Sequence, residues 1–233
     1  MFDCFIQIST TGELHQVVNN IYNYFKKPQL PSTSNSFEGS YFYKSENLGI
    51  SVEYQHIGSQ NVANIQISSA NLNAKLSLFK DDKHEEVVMV SPLNAQGSMF
   101  YYNTKSYCLN VKGEVNFKNK IFNLEQLNSL GGRDIGRGVW NYYSFWFWAH
   151  FQGFTNVNGK KVSIGINLGN GFEHESTNTY EDSVILGDEN YFVIQSHFKQ
   201  YFGTISGWFI DENGNKISFE NIQGLSEYHK AKW

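Results

Sequence analysis

The chain is short of the features that hold an exported or very small fold together. It has only two cysteines, Cys4 and Cys108, and three prolines in 233 residues. A chain of this length buries enough apolar surface to fold without disulfides or a structural metal. The two thiols therefore read as buried small side chains rather than a required bridge. Charged residues make up only 17% of the sequence and the formal net charge is −4, with Lys and Arg scattered. That pattern offers no long-range attraction to nucleic acid or to an anionic membrane surface. No apolar run is long enough to span a bilayer, no signal-peptide pattern opens the chain, and none of the 26 asparagines sits in an N-x-S/T acceptor. Together these absences give a cytoplasmic expectation with no membrane span. Also missing are a Gly-rich phosphate loop, a nucleophile elbow and a metalloprotease helix.

Aromatic residues are abundant, at 16% of the chain, with five tryptophans among them. Aromatic and β-branched side chains suit a pleated, half-buried surface, and twenty glycines read as turn residues. A mainly β, antiparallel fold follows. One helix is expected over about residues 10–27. Thr10 to Glu13 reads as a capping box, Leu14, Val17, Val18, Ile21 and Phe25 recur at helical spacing, and Lys26-Lys27-Pro28 forms a stop. A brief second helix is read over 122–130, capped by Asn123 and closed by Gly131-Gly132.

Elsewhere the period is two. Short strands are read at 40–43, 50–55, 64–68, 72–79, 87–90, 99–102, 106–111, 114–117, 161–168, 183–186, 191–199, 203–210, 216–220 and 225–233. Leu72, Ala74, Leu76 and Leu78 share one face, and Asp211-Glu212-Asn213-Gly214 is a hairpin signal. Evenly spaced short strands indicate a barrel or sandwich. A soft boundary at Gly131-Gly132 divides the chain into an N-terminal β-rich half, 1–130, and a C-terminal β half, 131–233.

The densest stretch is 133–151. Asp134 and Arg137 flank Gly136 and read in two ways: a carboxylate–guanidinium clamp on a tight corner, or an Arg137 facing a pocket. Trp140, Tyr142, Trp146, Trp148 and His150 share one strand parity, and Asn141, Tyr143, Phe145, Phe147 and Ala149 the other. Each indole buries roughly 150–250 Å², so the stripe serves either as core or as the wall of a pocket for a flat apolar ligand. Candidate acid–base groups are His174, within Glu173-His174-Glu175, then His197, and the Glu227/His229 pair. That pair sits two apart on a strand, where the carboxylate is expected to raise the imidazole pKa. No metal template matches these spacings and no cofactor is implied.

Several motifs recur together. Gly131-Gly132-Arg133-Asp134-Ile135-Gly136-Arg137-Gly138-Val139-Trp140 leads into Asn141-Tyr142-Tyr143-Ser144-Phe145-Trp146-Phe147-Trp148-Ala149, and then Ile164-Gly165-Ile166-Asn167-Leu168-Gly169. Upstream stand Phe100-Tyr101-Tyr102-Asn103-x-Lys105 and Val111-x-Gly113-x-Val115. Downstream stand Gln200-x-Phe202-Gly203-x-x-Ser206-Gly207 and Gly224-x-x-Glu227-x-His229-x-Ala231-x-Trp233. Over roughly residue 36 to the C-terminus this resembles the family called domain of unknown function 2804. That family's "D-x-G-R-G-x-W-P-Y-R-T-x-W-x-W-A" run precedes a "G-L-N-x-G" strand.

Departures are Asn141 for the proline, Tyr143 for the arginine, Phe147 for a polar residue, and Glu181-Asp182 for an "E-N" pair. The 182–200 segment looks shortened, and a helix stands in place of the family's opening strands. The resemblance implies a calycin-like architecture of two lipocalin-type barrels, similar to carotenoid-hydratase-like proteins, which handle apolar ligands. It adds Asn167 and Glu181 to Asp134, Arg137, Trp140, Trp146 and Trp148 as ligand-binding candidates.

Three functions remain in view. One is binding of an apolar or amphipathic small molecule, a lipid or isoprenoid. Another is a hydratase, isomerase or cyclase using the acid–base residues. The last is a degenerate, inactive paralogue or a mis-predicted gene. Free strand edges in a shortened barrel would also favour a homodimer.

Overall fold

The fold is that of a computed structural model, which describes residues 3–8, 13–18, 39–44, 46, 48–139, 141–171, 183–191 and 194–232. Among these residues fifteen strands follow one another. They are β1 (Asp3–Ile8), β2 (Glu13–Val18), β3 (Ser40–Lys44), β4 (Leu48–Ile57), β5 (Gln60–Ser69), β6 (Leu72–Asp81), β7 (Val87–Pro92) and β8 (Phe100–Phe117). The series continues with β9 (Lys120–Asn123), β10 (Leu130–Val139), β11 (Tyr143–Val157), β12 (Lys160–Gly171), β13 (Ser183–Tyr191), β14 (Ile194–Ile210) and β15 (Lys216–Lys232). No helix occurs among the described residues.

β1 and β2 form a hairpin. A second sheet runs β10-β8-β6-β5-β4-β3, with β7 and β9 also paired to β8, and a third runs β12-β11-β15-β14-β13. Every strand pairing whose register is described is antiparallel. Among the described residues the sheets are open, and no closed barrel forms.

The chain divides into two compact units. One is Met1–His84 with Leu109–Gly131, and the other is Glu85–Cys108 with Gly132–Trp233. The chain therefore crosses between units three times, once at Gly131-Gly132, and β8 gives each unit part of its length.

In the first unit, β4 alternates over Leu48 to Glu53. Leu48, Ile50 and Val52 are buried while Gly49, Ser51 and Glu53 face away from that core. Leu72, Ala74 and Leu78 are buried with Leu109, Val111, Val115 and Phe117, and Leu76 packs beside them. Residues two apart on a strand point the same way, so the four-residue face read from sequence is the core face of β6.

Turns follow backbone chemistry. Lys118 and Asn119 both adopt positive φ in the two-residue link between Phe117 and Lys120, the geometry that matches strand twist. The brief helix read over 122–130 is instead β9 and a tight turn. Asn123 Oδ1 accepts the Gln126 amide at 2.9 Å and the Asn123 carbonyl accepts the Leu127 amide. The cap is real, but Leu130 and the two glycines pair as β10, so nothing extends the turn.

The expected helix over 10–27 is also corrected where the chain is described. Glu13–Val18 is a strand in register with Asp3–Ile8. A capping box stabilises a helix only modestly, and short helices are marginal alone. A full row of backbone bonds to β1, with β-branched Val17 and Val18, favours the hairpin. Residues 19–27 lie outside the described residues.

In the second unit, Asn158-Gly159, both at positive φ, link Val157 of β11 to Lys160 of β12. Asp211 closes the β14–β15 turn by accepting the amides of Asn213 and Asn215, and Gly214 has φ +83°. A bulge between Ile205 and Gly207 is matched by Asn221 at φ +53°, whose amide donates to Ser206 Oγ at 2.9 Å. Phe202, Ile217, Phe219, Ile222 and Ala231 are buried there, but so are Asn103, Thr104, Lys105, Ser106, Arg133, Ser144 and Gln200.

Candidate functional site

That polar interior comes from two strand faces. On β8, residues 101, 103, 105 and 107 share a parity, so Tyr101, Asn103, Lys105 and Tyr107 point together. In the five-stranded sheet, Gln200 opposes Glu227 and Glu227 opposes Trp148; Trp146 opposes His229, and His150 opposes Asn167. Directly opposed residues of a ladder share a face. The third sheet thus presents Trp146, Trp148, His150, Asn167, Gln200, Glu227 and His229 on one side.

Asp134 of β10 anchors the first half of the cluster. Asn103 Nδ2 donates to its Oδ1 at 2.6 Å, and the Lys105 ammonium pairs with its Oδ2. Lys105 is only 7% exposed, and its ammonium also stands 3.8 Å from the centre of the Trp148 ring. A buried cation survives only when paired, and here a carboxylate and an indole face share the task. The Trp148 indole N–H and the Tyr107 hydroxyl both donate to Asn167 Oδ1, each at 2.8 Å. The Tyr107 ring stacks on His150 at 4.3 Å.

Glu227 anchors the second half. Its Oε1 accepts the Trp146 indole N–H at 2.8 Å, and its Oε2 accepts Gln200 Nε2 at 2.9 Å. The His229 ring lies 4.4 Å from that of Trp146, with Nδ1 4.0 Å from Glu227 Oε1, beyond hydrogen-bond reach.

Burial dominates the electrostatics. It raises the Glu227 pKa, against the lowering effect of its two hydrogen bonds and of Lys105. It pushes His150 down to about 4, helped by Lys105, and His229 down to about 4, helped by His197. The hydroxyls of Tyr101 and Tyr107 are raised by burial and then by Asp134. The expectation that Glu227 would raise the His229 pKa is therefore reversed: desolvation of the imidazolium outweighs a carboxylate 4.0 Å away. At neutral pH both histidines are uncharged.

A second buried ion group uses the other face of β8. The Ser106 hydroxyl donates to Glu86, and Arg133, 8% exposed, brings Nη1 3.7 Å from the same carboxylate.

Of the residues proposed from sequence, Asp134, Trp146, Trp148, Asn167, Glu227 and His229 converge. His197 lies on the opposite face of β14, opposing Lys230, with its ring 6.2 Å from that of Tyr228. His174, Glu181 and Trp140 lie outside the described residues, as does the side chain of Arg137. The Asp134–Arg137 clamp lies outside the described residues on its Arg137 side; Asp134 itself accepts from Asn103 and pairs with Lys105.

Lys105, Asn103, Tyr107, His150 and Gln200 were not singled out as site residues. The signal was the period-two run from Tyr101 to Tyr107 in a stretch already matched by motif. Among the described residues, no group of three or more His, Cys, Asp or Glu side chains is placed to hold a metal ion.

A family model described as domain of unknown function (DUF2804) matches residues 1–191 and 186–233. The two matched segments meet inside the stretch between Asp182 and Gln200 that reads as shortened. The match also reaches the N-terminus, further than the motifs after residue 36 suggested. No curated protein and no solved structure matches the chain significantly. With nearly its whole length covered, the chain belongs to the family described as domain of unknown function (DUF2804).

Proposed function

We propose that the indole-and-carboxylate cluster of the second unit binds an amphipathic small molecule, a lipid or isoprenoid with one polar end. The observation that carries this reading is the concentration of ionisable groups around the two indoles: buried Lys105, half-buried Glu227, His150 and His229, and the more exposed Asp134 that pairs with Lys105. Apolar cores of similar volume are as stable as buried ion pairs or more so. The lowered pKa of His150 and His229 and the raised pKa of Glu227, gathered beside the indoles, are the kind of perturbation that clusters at functional sites.

The unfilled positions give the polarity of the ligand. Asp134 can only accept from Asn103, which turns Asn103 Oδ1 away, and an ionised Glu227 does the same to Gln200 Oε1. Among the described residues both oxygens, and His150 Nε2, are buried without a hydrogen-bond partner. The cluster is short of donors, so the polar end of the ligand is a hydroxyl rather than an ether or ester.

Native mass spectrometry of the purified protein tests for a co-purifying lipid, and tryptophan fluorescence during titration with farnesol tests for binding. Saturable quenching, weakened about tenfold in Glu227→Gln, is expected. A protein that carries no lipid and shows no fluorescence change up to the solubility limit of farnesol rules the reading out.

A second reading, proton transfer in a hydratase or isomerase, is favoured by one observation. A carboxyl with a raised pKa stands beside a neutral imidazole at 4.0 Å. Deuterium uptake from D2O into a bound alkene, lost in Glu227→Gln, would distinguish catalysis from binding alone. The inactive-paralogue reading draws on Tyr143, where the family motif has arginine. That side chain is 69% exposed at the start of β11, so the substitution leaves the cluster intact.

A further inference from the structure

The first unit carries an open groove of about 610 Å³ on the side of its sheet away from the core. Strand register builds it from two cross-strand rows. In one, Phe42, Ser51, Gln66, Lys75 and Glu114 oppose one another in turn. In the other, Lys44, Gly49, Ser68, Asn73, Asn116 and Ile121 do so. The rows are two residues apart on each strand, roughly 7 Å, and cross five or six strands spaced by about 4.8 Å. Gly49, without a side chain, deepens the floor.

The side chains of Ser51, Gln66, Ser68, Asn73 and Asn116 make no hydrogen bond among the described residues. Elsewhere on the same face such groups do pair, Ser77 with Asn64 at 2.6 Å and Gln55 with Glu53 at 3.2 Å. Three primary amides and two hydroxyls each donate and accept. Two lysines and one glutamate leave little net charge to select an anion. Exposed apolar side chains stand at the ends, Phe42 at 57% and Ile121 at 66%.

We propose that this face binds a neutral oligosaccharide. Sugar hydroxyls also donate and accept, and amide rows satisfy them in either sense. The apolar C–H face of a pyranose packs against an exposed aromatic ring such as Phe42. The elongated trough suits a chain of rings better than a single one. An extended peptide is disfavoured, because strand addition requires a free sheet edge and this is a sheet face. The site is independent of the cluster in the second unit.

Affinity electrophoresis of the full chain in gels containing amylose, mixed-linkage β-glucan, xylan or galactomannan tests the proposal. Isothermal titration with the matching hexasaccharide follows. Retardation by at least one polysaccharide is expected, with affinity reduced about tenfold or more in Asn73→Ala and in Phe42→Ala. Both positions are exposed, so unchanged melting temperatures should accompany the loss. Asn64→Ala, outside the groove, should bind as the parent does. Absence of retardation in all four gels overturns the proposal, as does binding that neither groove variant weakens.

Discussion

Gly224 has no room for a side chain. A Cβ there would lie 1.9 Å from the His150 carbonyl oxygen and 2.6 Å from the Phe151 Cα, both backbone atoms of the neighbouring strand β11. Gly224→Ala must push β11 and β15 apart beside the cluster. A loss of about 1–3 kcal/mol or more is expected in urea denaturation. Gly169 meets nothing within 4 Å and does not have positive φ, so Gly169→Ala should stay within about 0.5 kcal/mol of the parent. Equal effects for the two would refute this account.

At this scale the sequence was legible where parity alone fixes a face. Trp146, Trp148, Glu227 and His229 are where their period-two spacing puts them. Partners were not legible. Nothing near Asp134 in sequence indicates that Asn103 and Lys105 engage its oxygens. The sign of the His229 shift was missed for the same reason: a carboxylate two residues away is visible in sequence, but the depth of burial is not.

Among the elements, the links that carry positive φ hold the hairpins. Gly159, at φ +77°, completes the two-residue turn of β11 and β12. An alanine there costs about 1–2 kcal/mol from backbone conformation alone. Gly159→Ala should lower stability by that amount while leaving farnesol quenching at the cluster unchanged. Loss of binding without loss of stability would contradict it.

The same reasoning explains how sequence reading split the long strands. It divides β8 into three segments and β14 and β15 into two each, and two of those breaks fall at Gly113 and Gly224. Gly113 and Gly224 lie inside strands, where a Cβ would strike the backbone of the adjacent strand. Glycine marks close approach as well as reversal, and the sequence does not say which. Over Glu13–Val18 the expected helix is a strand because a capping signal is local, whereas the register that makes this stretch a strand comes from β1.

Over the whole molecule, buried ionisable groups tie stability to pH. His150 and His229 titrate at about 4 when folded and near 6.5 when exposed. Between those values the unfolded chain holds protons that the folded chain refuses, so stability falls as pH drops from about 6.5 towards 4. Glu227, whose pKa is raised, works in the opposite sense: its contribution is lost as pH climbs from 4.5 through its folded value. Two histidines against one carboxyl leave a net loss of roughly 2–5 kcal/mol between pH 7 and pH 4.5. Urea denaturation across that range measures it, and His150→Phe combined with His229→Phe should flatten the curve. A parent protein equally stable at both ends would show that these rings are not desolvated.

The three crossings of the chain between its units have a practical consequence for anyone who wishes to dissect it. A truncation after Gly131 keeps every residue of the first unit, but it also retains Glu85–Cys108, cut off from the remainder of the second. Such a fragment would carry β7 and the opening half of β8 as orphans, with Val88 and Val90, already exposed in the intact chain, on unsupported strands. Clumping of that fragment would report on stranded sequence rather than on the unit it was meant to isolate. Point substitutions in the intact polypeptide are the cleaner instrument for separating the two halves.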